Sequence, residues 1–243
     1  MKSSIPRFLL AALLFALPSA VAQNKVTSKD GMAREGLITG VRGGAVRIKV
    51  GPAETAIPLA NIQSVSMPAP AEYTAAVEAW QKGDAASALP KLETLAANFE
   101  GLPVDWAERA CSLLPEVYLS EGRADDAEKA FANFQKLYPG SASSSDLLLA
   151  RLAISKDDFS TARGKLEPIV AEARQTLLPA GPKAAAMSQA LFLMGQVHEK
   201  AGEKPEALES YLLVTTLFKS DPASASRAAE RAQALSEEKI LVP

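Results

Sequence analysis

The side chains of this chain that could carry out chemistry are one histidine, one cysteine and two pairs of acidic residues. His198 lies in the stretch MGQVHEKAGEKPEALESY, close to Glu199 and Glu203, and Cys111 lies in the apolar stretch ACSLL. A metal site of the usual kind needs several ligands at a fixed spacing, and a catalytic thiol needs a histidine as its base. No second histidine is present to share a metal with His198, and the surroundings of Cys111 are typical of a small buried residue.

Motifs of the common enzyme classes are absent from the sequence. It contains no G-x-S-x-G, no phosphate-binding glycine loop and no H-E-x-x-H. The adjacent carboxylates Asp157-Asp158 and Glu237-Glu238 are typical of solvated turns and tails. We therefore predict that the chain is not an enzyme and has no catalytic residue, no metal site and no cofactor. A hydrolase with an unrecognised site is the least favoured alternative.

Residues 1–22 are predicted to be a secretory signal. Lys2 and Arg7 precede an apolar stretch, FLLAALLFAL. Small residues in an A-x-A pattern follow it and end at Ala22, and we place the cleavage after this residue. The stretch is too short to cross a bilayer, which needs about 20 apolar residues, and no cysteine follows it that could carry a lipid anchor. We predict export to the periplasm or the medium without a stable membrane anchor.

The charge of the mature chain does not favour nucleic acid as a partner. Removal of Lys2 and Arg7 from 26 Lys and Arg leaves 24, against 28 Asp and Glu, so the net charge is −4. A nucleic-acid-binding protein usually carries a basic patch. The expected partners are therefore other proteins or peptides.

Residues 23–68 are predicted to form a small β module because apolar residues recur there with a period of two. In VRIKV, Val46, Ile48 and Val50 share one face, as a half-buried strand requires. Gly43-Gly44 separates this strand from LITGV by a tight turn. The remaining predicted features are a hairpin at Asp30-Gly31, a strand over Thr55 to Leu59, a single 3₁₀ turn at LAN and a strand over Ile62 to Ser66.

The segment KDGMAREGLITGVRGGAVRIKVGPAETAIPLANIQSV resembles the small five-stranded barrels of the Sm-like and SH3-like families, most specifically at IPLANIQSV. The resemblance implies a five-stranded β-barrel. Members of these families often bind RNA or proline-rich peptides. Residues 25–67 contain neither an aromatic residue nor a basic face, so a docking or spacer module is the favoured interpretation.

Residues 69–243, which begin within the stiff Pro68-Ala69-Pro70 junction, are predicted to be helical with an internal repeat. A turn is followed by an alanine in four aligned segments. Glycine begins three of the turns, as expected at a helix C-terminus. The segments are GDAASAL, GRADDAE, DDFSTAR and GEKPEAL, which end near Ala88, Ala127, Ala162 and Ala207.

The helical part resembles the tetratricopeptide repeats. The second unit matches the family pattern at Tyr118, Gly122, Ala127, Phe131 and Pro139, and the fourth matches at Gly195, Gly202, Ala207 and Tyr211. The resemblance implies a mainly α fold, an α-solenoid of helix-turn-helix repeats, with ASASRAAERAQALSEE as a capping helix. It places His198 at the site that Tyr118 fills in the second unit, as a partly polar ring packed between helices.

Such a solenoid presents a concave groove lined by the first helix of each unit. The chaperone-binding branch of the family uses a cluster of Lys, Asn and Arg that is absent here. Alignment of the units on their alanines predicts groove residues Tyr73, Trp80, Arg109, Glu116, Arg151, Phe192 and Gln196, with Ser112, Leu147 and Glu199 beside them. The predicted function is an exported protein-protein interaction scaffold in cell-envelope assembly or organisation. The alternative is an oligomeric structural component that self-associates through the β module.

Overall fold

The computed structural model describes residues 24–140, 145–176 and 180–240, and in these ranges a five-stranded antiparallel sheet precedes nine α-helices. The prediction of a mainly helical chain with a small β module before the helices is confirmed. The strands are β1 (Asn24–Ser28), β2 (Ala33–Arg42), β3 (Ala45–Val50), β4 (Ala53–Pro58) and β5 (Ile62–Ser66). The helices are α1 (Ala71–Gln81), α2 (Ala85–Phe99), α3 (Asp105–Ser120), α4 (Ala124–Leu137), α5 (Ser145–Ser155), α6 (Phe159–Gln175), α7 (Gly181–Lys200), α8 (Lys204–Thr216) and α9 (Pro222–Glu237).

The strands form where the sequence alternates apolar and polar residues. Val46 and Ile48 of β3 are fully buried, whereas Arg47 between them is half-buried. Their partners on β2 are Val41 and Ile38. The two predicted hairpin turns and the predicted 3₁₀ turn at Leu59–Asn61 are confirmed.

The sheet is open rather than closed. Its strand order is β4-β3-β2-β1-β5, and the described residues contain no pairing between the edge strands β4 and β5. The closed barrel predicted from the sequence is therefore not formed by backbone hydrogen bonds. Helices cover the apolar face instead, since Val26 and Ile48 share one core with Leu92 of α2 and Trp106 of α3. This packing removes the apolar face from water without closure of the sheet.

The sheet and the first helices meet at a close backbone approach. Gly40 of β2 has a φ of 147°, and a Cβ at this position would lie 2.6 Å from the carbonyl oxygen of Asn98 in α2. The Nε1 of Trp106 donates a hydrogen bond of 3.0 Å to the carbonyl oxygen of Met67, which follows β5. The core of the sheet thus continues across the predicted boundary between residues 68 and 69.

Each helix packs on the next one in the chain, and the odd-numbered helices also pack on one another. Contacts join α1 to α3, α3 to α5, α5 to α7 and α7 to α9. The predicted helix-ending turns contain Gly83, Gly122 and Gly202, with φ of 78°, 72° and 80°, and Asp157, with φ of 58°. A residue with a positive φ, in the left-handed backbone conformation, is common where a helix ends. The odd-numbered helices therefore lie side by side along the molecule.

The predicted signal segment and its cleavage site after Ala22 lie outside the described residues, and so does part of the stretch LLPAGPK between α6 and α7. Within the described ranges, no helix combines the length and the apolar character needed to cross a membrane. The boundaries of the predicted signal segment remain a prediction.

Candidate partner-binding cleft

The alanines of the repeated segments allow the helices to approach one another. Ala88, Ala127, Ala162 and Ala207 stand near the start of α2, α4, α6 and α8, and each is 0% exposed. Helix separation depends on the side chains at the contact, and a methyl group permits a short one. Each of these four residues therefore lies where two helices meet closely.

A cleft of about 690 Å³ opens where the odd-numbered helices lie side by side. All five of these helices border it, so the first and the last of them, α1 and α9, face the same space. This volume falls in the range of natural ligand sites, about 300 to 1,000 Å³. The bordering residues include Trp80 of α1, Glu116 of α3, Arg151 and Ile154 of α5, Gln189, Phe192 and Gln196 of α7, and Asp221 and Arg227 in the first turns of α9.

The cleft contains five of the seven residues predicted for the groove. Trp80, Glu116, Arg151, Phe192 and Gln196 line it together, although they are far apart in the sequence. Their assignment to a binding site remains a prediction, while their convergence on one cleft is a feature of the structure.

Tyr73 and Arg109, the other two predicted residues, do not border the cleft. Tyr73 lies near the start of α1 and packs against Trp106, with ring centroids 6.1 Å apart, in the core shared with the sheet. Arg109 is exposed near the start of α3. The cleft is bordered by the C-terminal halves of α1, α3 and α5. The alignment on the alanines also assigned residues near the starts of α1 and α3 to the groove.

Three further residues placed beside the groove also lie away from it. Ser112 and Leu147 precede the ends of their helices that border the cleft. Glu199 is engaged elsewhere, because its Oε2 accepts a hydrogen bond of 3.0 Å from the hydroxyl of Tyr211 and its carboxylate pairs with Arg231 of α9. Glu199 thus joins α7 to α8 and α9.

The charged groups at the centre of the cleft neutralise one another. Nη1 of Arg151 lies 2.6 Å from Oε2 of Glu116, and Nη2 donates a hydrogen bond of 3.2 Å to Oε1 of Gln189. One guanidinium therefore connects α3, α5 and α7. Both partners of the ion pair are about one-third exposed, so the pair remains open to solvent and to a ligand.

Residues of α9 were missed when the groove was predicted from the sequence. Asp221 begins this helix as its N-cap, since its Oδ2 accepts a hydrogen bond of 3.0 Å from the backbone N–H of Ser224. Arg227 follows on the same helix and borders the cleft. A helix over ASASRAAERAQALSEE is expected from the sequence, but only the packing of the preceding helices brings α9 to the same cleft as α1.

His198 is part of a polar cluster at the turn between α7 and α8. Its Nδ1 lies 2.6 Å from Oε2 of Glu203, and Nη2 of Arg163 in α6 lies 2.5 Å from the same oxygen. The hydrogen bond from His198, followed by that from Arg163, lowers the pKa of Glu203. The side chain of His198 is 13% exposed, which agrees with a partly polar ring packed between helices.

Cys111 is buried in the core between α3 and α4. Burial raises the pKa of its thiol to about 12, and the negative charge of Glu100 adds to this effect. The thiolate, which is the reactive form, is therefore scarce near neutral pH. Cys111 behaves as the small buried residue expected from the sequence.

A second cleft, of about 400 Å³, lies at the open side of the sheet. It is lined by Thr55, Ile57 and Pro58 of β4, by Lys29 and Asp30 of the first hairpin turn and by Asn61. The absence of pairing between β4 and β5 leaves this space.

Comparisons with known proteins gave no matching family model, no matching curated protein and no matching solved structure. In the described part of the chain, no group of three or more His, Cys, Asp or Glu residues stands close enough to hold a metal ion. The function must therefore be inferred from the geometry of the clefts.

Proposed function

We propose that this chain is an exported tetratricopeptide-repeat scaffold that binds an extended segment of another protein in the cleft between its odd-numbered helices. The single observation that carries the proposal is that one cleft collects side chains from α1, α3, α5, α7 and α9. A site bordered by five separate helices fits a long ligand better than a small molecule held at one point.

The repeat assignment is supported by local features of the helix pairs. The four turns, the four fully buried alanines and the contacts between alternate helices follow the order expected for stacked helix-turn-helix units. Gly195 and Tyr211, two of the residues that match the family pattern, meet directly, since a Cβ on Gly195 would lie 2.5 Å from the Tyr211 ring. On this proposal the open sheet is a divergent Sm-like or SH3-like barrel that closes the N-terminal end of a solenoid.

The chemistry of the cleft walls favours binding over catalysis. Trp80, Ile154 and Phe192 offer apolar surface, while Gln189 and Gln196 offer amide groups that complement a peptide backbone. Aromatic side chains in such places often carry a large share of the binding free energy, about 2 kcal/mol or more each. Export to the envelope, inferred from the first 22 residues, would place this scaffold among envelope assembly factors.

Selection from a phage-displayed library of random peptides on the mature protein tests the binding function. We expect enriched peptides that lose affinity for Trp80→Ala and for Gln196→Ala. Leu212→Ala is the control, because Leu212 is an exposed apolar side chain, at 37%, that does not border the cleft. Peptides that bind wild type and Trp80→Ala equally would contradict a role for the cleft.

Export has a separate test. Arginine at Leu13 and Leu14 should interrupt the apolar stretch and retain the precursor in the cytoplasm, whereas the wild-type protein should be recovered with Gln23 as its first residue. A mature N-terminus at another residue would show that the cleavage site is misplaced.

The alternative function, self-association through the β module, is favoured by the outer edges of β4 and β5, which pair with no further strand in the described residues. An unpaired edge strand is a template for a strand of another copy. Light scattering of the mature protein would show an oligomer that Ala56→Pro in β4 dissociates, because proline removes a backbone donor and blocks pairing. A monomer at all concentrations would exclude this alternative.

A further inference from the structure

We infer that the cleft selects a protein segment with an aspartate or glutamate side chain, and that Arg227 of α9 binds the carboxylate. The inference rests on the proposed peptide-binding function and adds the chemistry of the ligand. It follows from the charges, the hydrogen-bonding groups and the apolar walls of the cleft.

Among the described residues, Arg227 is the charged side chain of the cleft that has no side-chain partner. Arg151 is engaged with Glu116 at 2.6 Å, and Asp221 caps α9 through Ser224. Arg227 is exposed and makes no ion pair or side-chain hydrogen bond in residues 24–140, 145–176 and 180–240. Asp221 precedes it by six residues, a rise of about 9 Å along the helix, and the two side chains form no ion pair.

The unpaired hydrogen-bonding groups of the cleft are mainly donors. The guanidinium of Arg227 carries five N–H donors and no acceptor. The amide NH₂ of Gln189 is free because only its oxygen is bonded, to Arg151, and the Gln196 amide has no partner in the described part of the chain. A ligand that complements these donors brings acceptors, and a ligand group that pairs with Arg227 is negatively charged. A carboxylate has both properties, since its two oxygens match the planar guanidinium.

The remaining walls indicate that the carboxylate belongs to a longer segment. A carboxylate fills only a small part of a cleft of about 690 Å³, and Trp80, Ile154 and Phe192 leave apolar surface beside it. The ligand is therefore a stretch of chain with an acidic side chain near an apolar one. Arg227 of α9 and Trp80 at the end of α1 both border the cleft, so the segment contacts both of them.

The test compares the peptides selected by wild type, Arg227→Glu and Arg109→Glu from a phage-displayed random library. Arg109 is the matched control, an exposed arginine of α3 without a side-chain partner in the described residues that does not border the cleft. Wild type and Arg109→Glu should enrich Asp or Glu near an apolar residue. Arg227→Glu should lose this preference and enrich Lys or Arg instead.

A synthetic peptide with the enriched sequence then gives the size of the effect. Arg227→Gln, which keeps a polar helical side chain, should weaken its binding about tenfold, and the loss should shrink in high salt. An acidic preference that persists in Arg227→Glu would overturn the inference. Trp80-dependent peptides without acidic residues would overturn the inference but leave the proposed function standing, whereas a failure to select any Trp80-dependent peptide would overturn both.

Discussion

Two half-buried rings, Tyr118 and His198, show how one position in a helix pair accepts different chemistry. Each ring lies one helical turn before a turn glycine. The hydroxyl of Tyr118 donates to Oε1 of Glu93 at 2.9 Å, and the guanidinium of Arg123 lies 4.5 Å from the ring centre. At His198 the charges are reversed, because the residue after the glycine is Glu203 and its partner on the preceding even-numbered helix is Arg163. His198 thus contacts the carboxylate of the residue after the glycine, whereas Tyr118 contacts a carboxylate of the preceding even-numbered helix.

Substitutions of His198 should therefore separate shape from charge. His198→Tyr should be tolerated, since Tyr118 fills the equivalent position before the turn between α3 and α4. His198→Asp should lower the free energy of unfolding by about 1–3 kcal/mol, because it puts a second carboxylate next to Glu203 in a half-buried site. Urea unfolding measures the loss, and His198→Asn is the neutral control of similar shape. An equal loss for Asp and Asn would contradict the electrostatic explanation.

The thiol of Cys111 offers a test of the core between α3 and α4. Because the side chain is buried and its pKa is raised to about 12, we expect no reaction with a disulfide reagent in the native protein near neutral pH. In urea the same thiol should react completely at the rate of a free cysteine. Labelling of the native protein at that rate would show that this core is open.

At the scale of elements, α7, α8 and α9 are connected through one tyrosine. The ring of Tyr211 lies against Gly195, and its hydroxyl reaches Glu199, which also pairs with Arg231. The repeat pattern includes both Gly195 and Tyr211, and the structure brings them into contact. The pattern does not predict the bond to Arg231, because that residue belongs to the capping helix, which has no place in the pattern.

Gly195→Ala should destabilise the protein, although alanine favours a helix by about 1 kcal/mol over glycine. The new methyl group would lie 2.5 Å from the Tyr211 ring, and overpacking of this kind costs about 1–3 kcal/mol. The control is Gly164→Ala in α6, where no atom lies within 4 Å of the new methyl, so that variant should be neutral or more stable. Thermal unfolding compares the two. Similar melting temperatures would contradict the packing of α7 on α8.

The carboxylate of Glu199 should make this junction sensitive to acid. Burial opposes its ionisation, but the hydrogen bonds from Arg231 and Tyr211 outweigh burial and lower its pKa. A lowered pKa in the folded state means that the stabilisation is present above the unfolded pKa and is lost as the pH falls through the folded pKa. Glu199→Gln should therefore cost more stability at neutral pH than in acid, as measured by urea unfolding at several pH values. A pH-independent difference would rule out the ion pair as its source.

At the scale of the whole molecule, the sequence predicts what depends on neighbours in the chain and misses what depends on distant packing. The strands and the turns are predicted from the spacing of apolar residues and from the turn residues, and both are confirmed. The four repeated alanines are buried. The open sheet does not follow from these patterns, because it depends on the coverage of Val26 and Ile48 by α2 and α3. The cleft position of Arg227 depends on how eight preceding helices pack on one another, and no local sequence pattern records that packing.

The close approach of Gly40 in β2 to Asn98 in α2 allows a test of whether the sheet and the helices unfold as one unit. Gly40→Ala would place a methyl group 2.6 Å from the carbonyl oxygen of Asn98, in a backbone conformation with φ of 147° that alanine rarely adopts. We expect a loss of about 1–4 kcal/mol from overpacking and backbone strain. Because Val26, Leu92 and Trp106 share one core, hydrogen exchange should accelerate in β2 and in α2 together. Gly140→Ala, with open space around the new methyl group, should leave both unchanged. Faster exchange in the strands with full protection of α2 would instead mean that the sheet is an independent module that only rests on the helices.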